Sequence, residues 1–156
     1  MGDFFSGANG LEPTRRLPFF PKEFFGDLQI DSCKGEETRK GPAFIVEFTV
    51  LSSNLPEVAL GTGRCWYQKT GPGKEMQETG FRACVGFLLA AYGKDQTRDA
   101  AEIKANFAPQ QDRLLNAVIS EAQPLRGARV HLQTTEKGLK DGKGVFTVHT
   151  FSPVIA

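Results

Sequence analysis

The sequence predicts a mainly β domain with a helical insert, of the α+β class, and three observations carry that expectation. The first is the run Gly41-Pro-Ala-Phe-Ile-Val-Glu-Phe-Thr-Val-Leu-Ser-Ser53, rich in β-branched and aromatic residues. Phe44, Val46, Phe48 and Val50 alternate with Ile45, Glu47, Thr49 and Leu51, so one face is buried and the other is mixed. The second is similar strand texture in Asp27–Cys33 and Gly61–Lys69, and again in Arg126–Thr135 and Val145–Pro153. The third is a change of period between residues 75 and 123, where apolar residues recur every three or four positions.

In chain order, residues 1–25 come first. They hold three Phe-Phe pairs, Phe4-Phe5, Phe19-Phe20 and Phe24-Phe25, separated by glycines and by Pro13, Pro18 and Pro21. Prolines at that spacing disfavour a helix and favour an extended arm. Six phenylalanines are not left in water, so the arm is expected to lie on its own domain or on a neighbouring subunit. The folded domain is then expected over 26–156. Its first strand leads into a polar connection from Lys34 to Lys40, and its second reaches the third through a loop at Pro56.

After the Gly71-Pro72-Gly73 turn, a helix is expected from about Glu75 to Tyr92. Its apolar stripe is Phe81, Val85, Leu88, Leu89 and Tyr92, and Gly93 is its stop. Residues 95–107 give a weaker helix that ends before Pro109. Residues 110–123 give another, with Leu114, Leu115, Val118 and Ile119 inward and Pro124 as terminator. The last two strands are joined by Glu136–Gly144, a loop with three lysines that turns at Asp141-Gly142.

At 156 residues the chain is one domain, long enough to bury a core without disulfide or metal staples. Cys33, Cys65 and Cys84 are odd in number and widely spaced, which suits reduced thiols in a cytoplasm. No apolar run approaches the roughly 20 residues of a membrane helix. The N-terminus also lacks the basic and apolar regions of a signal peptide, so a cytoplasmic protein without a membrane partner is expected. Net charge is +1, but its distribution is uneven. Residues 34–74 carry +2 and 124–156 carry +3, against −2 for 1–33 and −2 for 75–123.

Three strands, a helical insert and two strands is the connectivity of the OB-fold, a five-stranded Greek-key barrel. Strands two and three, with the loops after strands one and four, bind single-stranded nucleic acid in that fold. Such a groove needs cations to track phosphates and aromatic rings to stack bases. The first loop offers Lys34, Arg39 and Lys40, the third strand Arg64, Trp66 and Lys69, and the last loop Lys137, Lys140 and Lys143. Trp66 shares a strand face with Arg64 and Gln68, opposite Cys65 and Tyr67, which favours a solvent-side ring. A core position for this lone tryptophan is the competing reading. Phe44, Phe48, Phe146 and Phe151 are read as core.

The runs Gly26-Asp-Leu-Gln-Ile-Asp31, Arg39-Lys-Gly-Pro-Ala-Phe-Ile-Val-Glu-Phe-Thr-Val-Leu-Ser52 and Gly63-Arg-Cys-Trp-Tyr67, then a helix and the Leu125-Arg-Gly-Ala-Arg-Val130 hairpin, resemble OB-fold single-stranded DNA-binding proteins of bacteriophages. The resemblance covers residues 26–153 and lies in layout and strand texture. It implies a non-catalytic binder of single-stranded DNA in replication, recombination or repair, without a cofactor. Its partners would be replication or recombination proteins, and copies of itself through the N-terminal arm. The alternative is a structural or assembly module of the same fold, in which the arm is the functional element.

Enzyme readings find little to stand on. Gly71-Pro-Gly-Lys74 lacks a phosphate loop's first glycine and its hydroxyl residue, since Gln68 and Glu75 occupy those places. No Gly-x-Ser-x-Gly elbow or two-metal acidic cluster is visible. His131 and His149 lie on strands expected to pair and could face each other, but without Cys-x-x-Cys a zinc site is not expected.

Overall fold

The computed structural model describes residues 17–39, 41–139, 142 and 144–154. Its strands form one antiparallel sheet: β1 Phe25–Thr38, β2 Gly41–Val50, β3 Gly63–Lys69, β4 Arg129–Gly138 and β5 Val145–Pro153. Their order across the sheet is β3-β2-β1-β4-β5. The insert between β3 and β4 holds α1 Lys74–Ala91, a single turn α2 Ala100–Glu102, a π turn Ile103–Phe107, a 3-10 turn Ala108–Gln110, and α3 Gln111–Val118.

β2 has the alternation expected of it, with Phe44, Val46, Phe48 and Val50 buried and the intervening residues half-buried. β1 is longer than expected. The polar stretch read as a connection is strand as far as Thr38, which pairs with Gly41 in a tight hairpin. A register shift between Ile30 and Ser32 brings Cys33 back onto the buried side, so the ladder with β2 continues. Where β4 leaves β1, the Gln123 side chain stands in for a strand. Its amide Nε2 donates to the Cys33 carbonyl at 2.7 Å, and its Oε1 accepts the Cys33 N–H at 2.8 Å.

The sheet is rolled. Laid flat, β3 and β5 would stand about 19 Å apart, four strand spacings of about 4.8 Å. The ring centroids of Trp66 on β3 and Phe151 on β5 are 4.8 Å apart. Phe44, Phe48 and Phe87 complete the cluster between them, with Phe87 supplied by α1. Among the described residues β3 and β5 share no ladder. Residues 17–19 take the outer edge of β3 instead, through a parallel bridge of Phe19 to Cys65 and a 3.0 Å bond from the Cys65 N–H to the Pro18 carbonyl.

Residues 17–25 are integral to the core rather than a detached arm. Phe20 and Phe24 are buried, while Phe19 and Phe25 face outward. The buried Thr134 hydroxyl fixes this segment by donating to the Pro21 carbonyl at 2.6 Å and accepting the Phe24 N–H at 2.8 Å. Phe4 and Phe5 lie outside the described residues.

α1 matches its expected span, and Gly93 closes it at positive φ with the N–H of Lys94 on the Leu89 carbonyl. Leu88 and Leu89 are buried as expected and Val85 is half-buried, but Gly80, Cys84 and Phe87 complete the buried side, while Phe81 and Tyr92 are exposed. Gly80 sets this register, because a Cβ there would collide with the Lys69 carbonyl. The expected 95–107 helix forms only short turns, and the 3-10 turn runs through Pro109.

Candidate nucleic-acid interface

The rolled sheet buries one face and leaves the other open, and strand register sorts the candidate residues between them. On the open face, Lys34, Ile45 and Tyr67 form one row across β1, β2 and β3. The next row toward the hairpin tip is Glu36, Ala43 and Lys69. The preceding row is Ser32, Glu47 and Cys65, which the bridge extends to Phe19. Residues paired across a sheet point to the same side. Phe19, 51% exposed, therefore stands on the same face as the half-buried Tyr67.

Arg39 is exposed in the β1–β2 turn and Lys69 is exposed at the adjacent end of β3. Lys34 contacts Glu47 at 3.4 Å, with the lysine exposed and the glutamate half-buried. Such a pair is worth about 0–1 kcal/mol, so a phosphate can compete for the lysine. Lys34, expected in a loop, is on strand β1. The carboxylates Glu36 and Glu47 share this face and limit its positive charge.

Trp66 is not on this face. It is 3% exposed, opposite Val46, with the rings of Phe44, Phe87 and Phe151 around it. Its polar neighbours Arg64 and Gln68 suggested solvent, but they lie toward the two ends of a short strand whose middle is core. Arg64 is not free to meet phosphate either. One guanidinium nitrogen donates to the Phe19 carbonyl at 2.8 Å and another to the Glu57 carbonyl at 3.1 Å. It fastens the N-terminal segment and the β2–β3 loop to the sheet.

Lys137 is exposed in the last turn of β4, not in a loop. From their shared segment β1 runs on to Thr38 in one direction and β4 to Gly138 in the other, so Lys137 lies at the opposite end of the sheet from Arg39. Lys40, Lys140 and Lys143 lie outside the described residues. Phe44, Phe48 and Phe151 are core as expected, whereas Phe146 is exposed.

The two histidines do not face each other. His149 pairs with Thr134 on the buried face, and His131 lies opposite Ser152 on the open one. The His131 Nδ1 is 2.9 Å from the Asp27 carboxylate. Burial lowers the pKa of His149, while a hydrogen bond with the Thr147 backbone opposes the shift. Burial also pushes the Cys33 and Cys84 thiols up to about 12, so neither is a nucleophile at neutral pH. The three cysteines form no disulfide.

Sequence reasoning missed Tyr67 and Phe19 as open-face rings. The signal for Tyr67 was present in the alternation of β3 once Trp66 is assigned to the core. That for Phe19 was not, because a bridge to Cys65 across 46 positions leaves no local pattern. No protein-family model matches the chain. No curated protein matches it either. No helix among the described residues is long and apolar enough to cross a membrane.

Proposed function

We propose that the chain is a non-catalytic single-stranded DNA-binding protein of OB-fold design, serving replication, recombination or repair in the cytoplasm. The observation that carries the reading is the open face of β1, β2 and β3. There Tyr67 and Phe19 stand on the same side as Lys34 and Lys69, with Arg39 exposed in the adjoining turn, the combination of rings and cations that holds a single strand. The strand order and the rolled sheet support the barrel half of the proposal. All neighbours of a five-stranded barrel are present except a β3–β5 ladder, and those two strands already meet through Trp66 and Phe151.

The test is anisotropy of a labelled oligothymidine against the same length of duplex. The single strand binds more tightly, and Tyr67→Ala weakens it about tenfold, the order of one base-stacking contact. Equal binding of duplex and single strand, or an unaffected Tyr67→Ala variant, contradicts the placement of the site.

A second reading, an assembly subunit, has its own observation. Phe81 and Ile119 are exposed beside half-buried Val85 and Leu115, an apolar strip along α1 and α3. Self-association through that strip persists at high salt, whereas strand binding weakens as salt rises.

A further inference from the structure

On the open face of β1 and β4, away from the Tyr67 row, a cleft of about 440 Å³ is lined by Phe25, Asp27, Ser52, Asn54, His131 and Ser152. Its volume is within the range of small-molecule sites. Phe25 is 53% exposed and meets the edge of the His131 ring, with centroids 4.3 Å apart and planes at 73°. Large exposed rings are costly in water, and the backbone that carries this one is held from behind. The Asn54 side chain accepts the Phe25 N–H at 2.8 Å and donates to the Glu23 carbonyl at 2.9 Å. These bonds hold the backbone at Phe25, and the ring's own contact is the one with His131.

The polar groups of the cleft have a definite sense. A carboxylate can only accept, so the proton in the 2.9 Å contact belongs to His131 Nδ1. In the neutral ring that leaves Nε2 as an acceptor, and among the described residues no protein donor meets it. The second Asp27 oxygen is a further acceptor. The Ser52 Oγ accepts the Asp27 N–H at 2.8 Å, so its own proton remains to be given. Among the described residues no lysine or arginine lines the cleft, and Asp27 repels anions, so a phosphate is disfavoured there.

A flat ring wall beside two acceptors and one hydroxyl fits a planar heteroaromatic group that presents N–H donors. We propose that this cleft is a subsite for one nucleobase, stacked on Phe25, and that it selects bases with an exocyclic amino group over thymine. Cytosine, adenine and guanine give an amino N–H to Asp27 or His131, and guanine gives two adjacent donors. Thymine offers only its ring N–H between two carbonyls, which face acceptors unfavourably. The proposal rests on the single-strand reading above and adds to it a base preference set by Asp27 and His131.

The experiment compares an all-thymidine oligomer with oligomers carrying a short guanine or cytosine tract. Wild-type protein binds the substituted oligomers about tenfold more tightly, the scale of one base-specific contact. Phe25→Ala weakens binding of the substituted oligomers, and Asp27→Asn, which keeps the shape but presents an amide, collapses the preference to about one. Equal affinities in the wild-type protein, or a preference that survives both substitutions, overturns the subsite while leaving the strand-binding reading intact. Should no oligomer be retained at all, titration with free deoxyguanosine and thymidine, followed by amide NMR shifts, decides separately. Shifts at Gly26, Ser52 and His131 with deoxyguanosine alone support the subsite; none, or equal shifts with both, overturns it.

Discussion

Replacing Trp66 by alanine tests the rolled sheet. The indole is 3% exposed and joins β3 to β5 and α1, with ring centroids 4.8 Å from Phe151, 5.6 Å from Phe87 and 5.9 Å from Phe44. Truncating a buried aromatic costs about 3–5 kcal/mol through lost transfer energy and the cavity left behind. Each aromatic pair adds about 0.5–1.5 kcal/mol. The expected loss is therefore at the top of that range, about 5 kcal/mol, comparable with the whole stability of a marginal domain. Urea unfolding followed by circular dichroism measures it, with Trp66→Phe as the control that keeps a ring in the cluster and costs clearly less. In the native protein the indole emission is blue-shifted and resists acrylamide quenching. A loss below about 0.5 kcal/mol for Trp66→Ala, the level of a surface substitution, would refute the reasoning and return the ring to the open face.

Three further outcomes follow from named contacts. His149 has a folded pKa below its unfolded value, so its contribution to stability is complete above about 6.5 and is lost as pH falls below it, by at most about 1.4 kcal/mol per pH unit. Urea midpoints across that range should fall less steeply for His149→Phe than for wild type; equal slopes contradict the burial of the ring. Removing residues 1–22 instead of 1–16 further deletes the buried Phe20 and uncovers the β3 edge, at an added cost of about 3–5 kcal/mol. Equal thermal midpoints for the two truncations would show that the segment contributes nothing to the core. Gly80→Ala gains about 1 kcal/mol of helix propensity but drives a methyl group into the Lys69 carbonyl, so the net effect on urea stability is a loss; any gain would mean that α1 does not approach β3 as described.

Local patterning made much of the sheet legible in the sequence. β2 could be read directly because its buried residues alternate without interruption, and α1 because Gly73 and Gly93 bracket a helical period. In α1 the buried Leu88 and Leu89 could be read, whereas Phe81 and Tyr92 mislead because they are larger than Gly80 and Cys84, and size draws the eye away from a glycine that is buried for close approach. β1 was cut short because its second half is two-sided and polar, a ribbon held by the ladder to β2 and not by a hydrophobic face. At the site, Lys34, Arg39 and Lys69 could be read as charges, but their companions could not. Phe19, Phe25 and the Asp27–His131 contact depend on pairings between distant segments. Trp66 failed because on a short strand polar neighbours along the same face mark its ends and not the environment of its middle, and Arg64 because the carbonyls that hold its guanidinium belong to other segments.

On the proposed function, the open face of β1, β2 and β3 holds the phosphates of a single strand. The most direct measurement of this is the affinity of a labelled oligothymidine between about 50 and 200 mM salt, for the wild-type protein and for Arg39→Ala with Lys69→Ala. Three cations on or beside that face neutralise about three phosphates, so log K against log salt should have a slope of about −2, reduced to about −0.7 in the double variant. A folded wild-type protein with no affinity at the lowest salt, or a slope that the double substitution leaves unchanged, would contradict the claim.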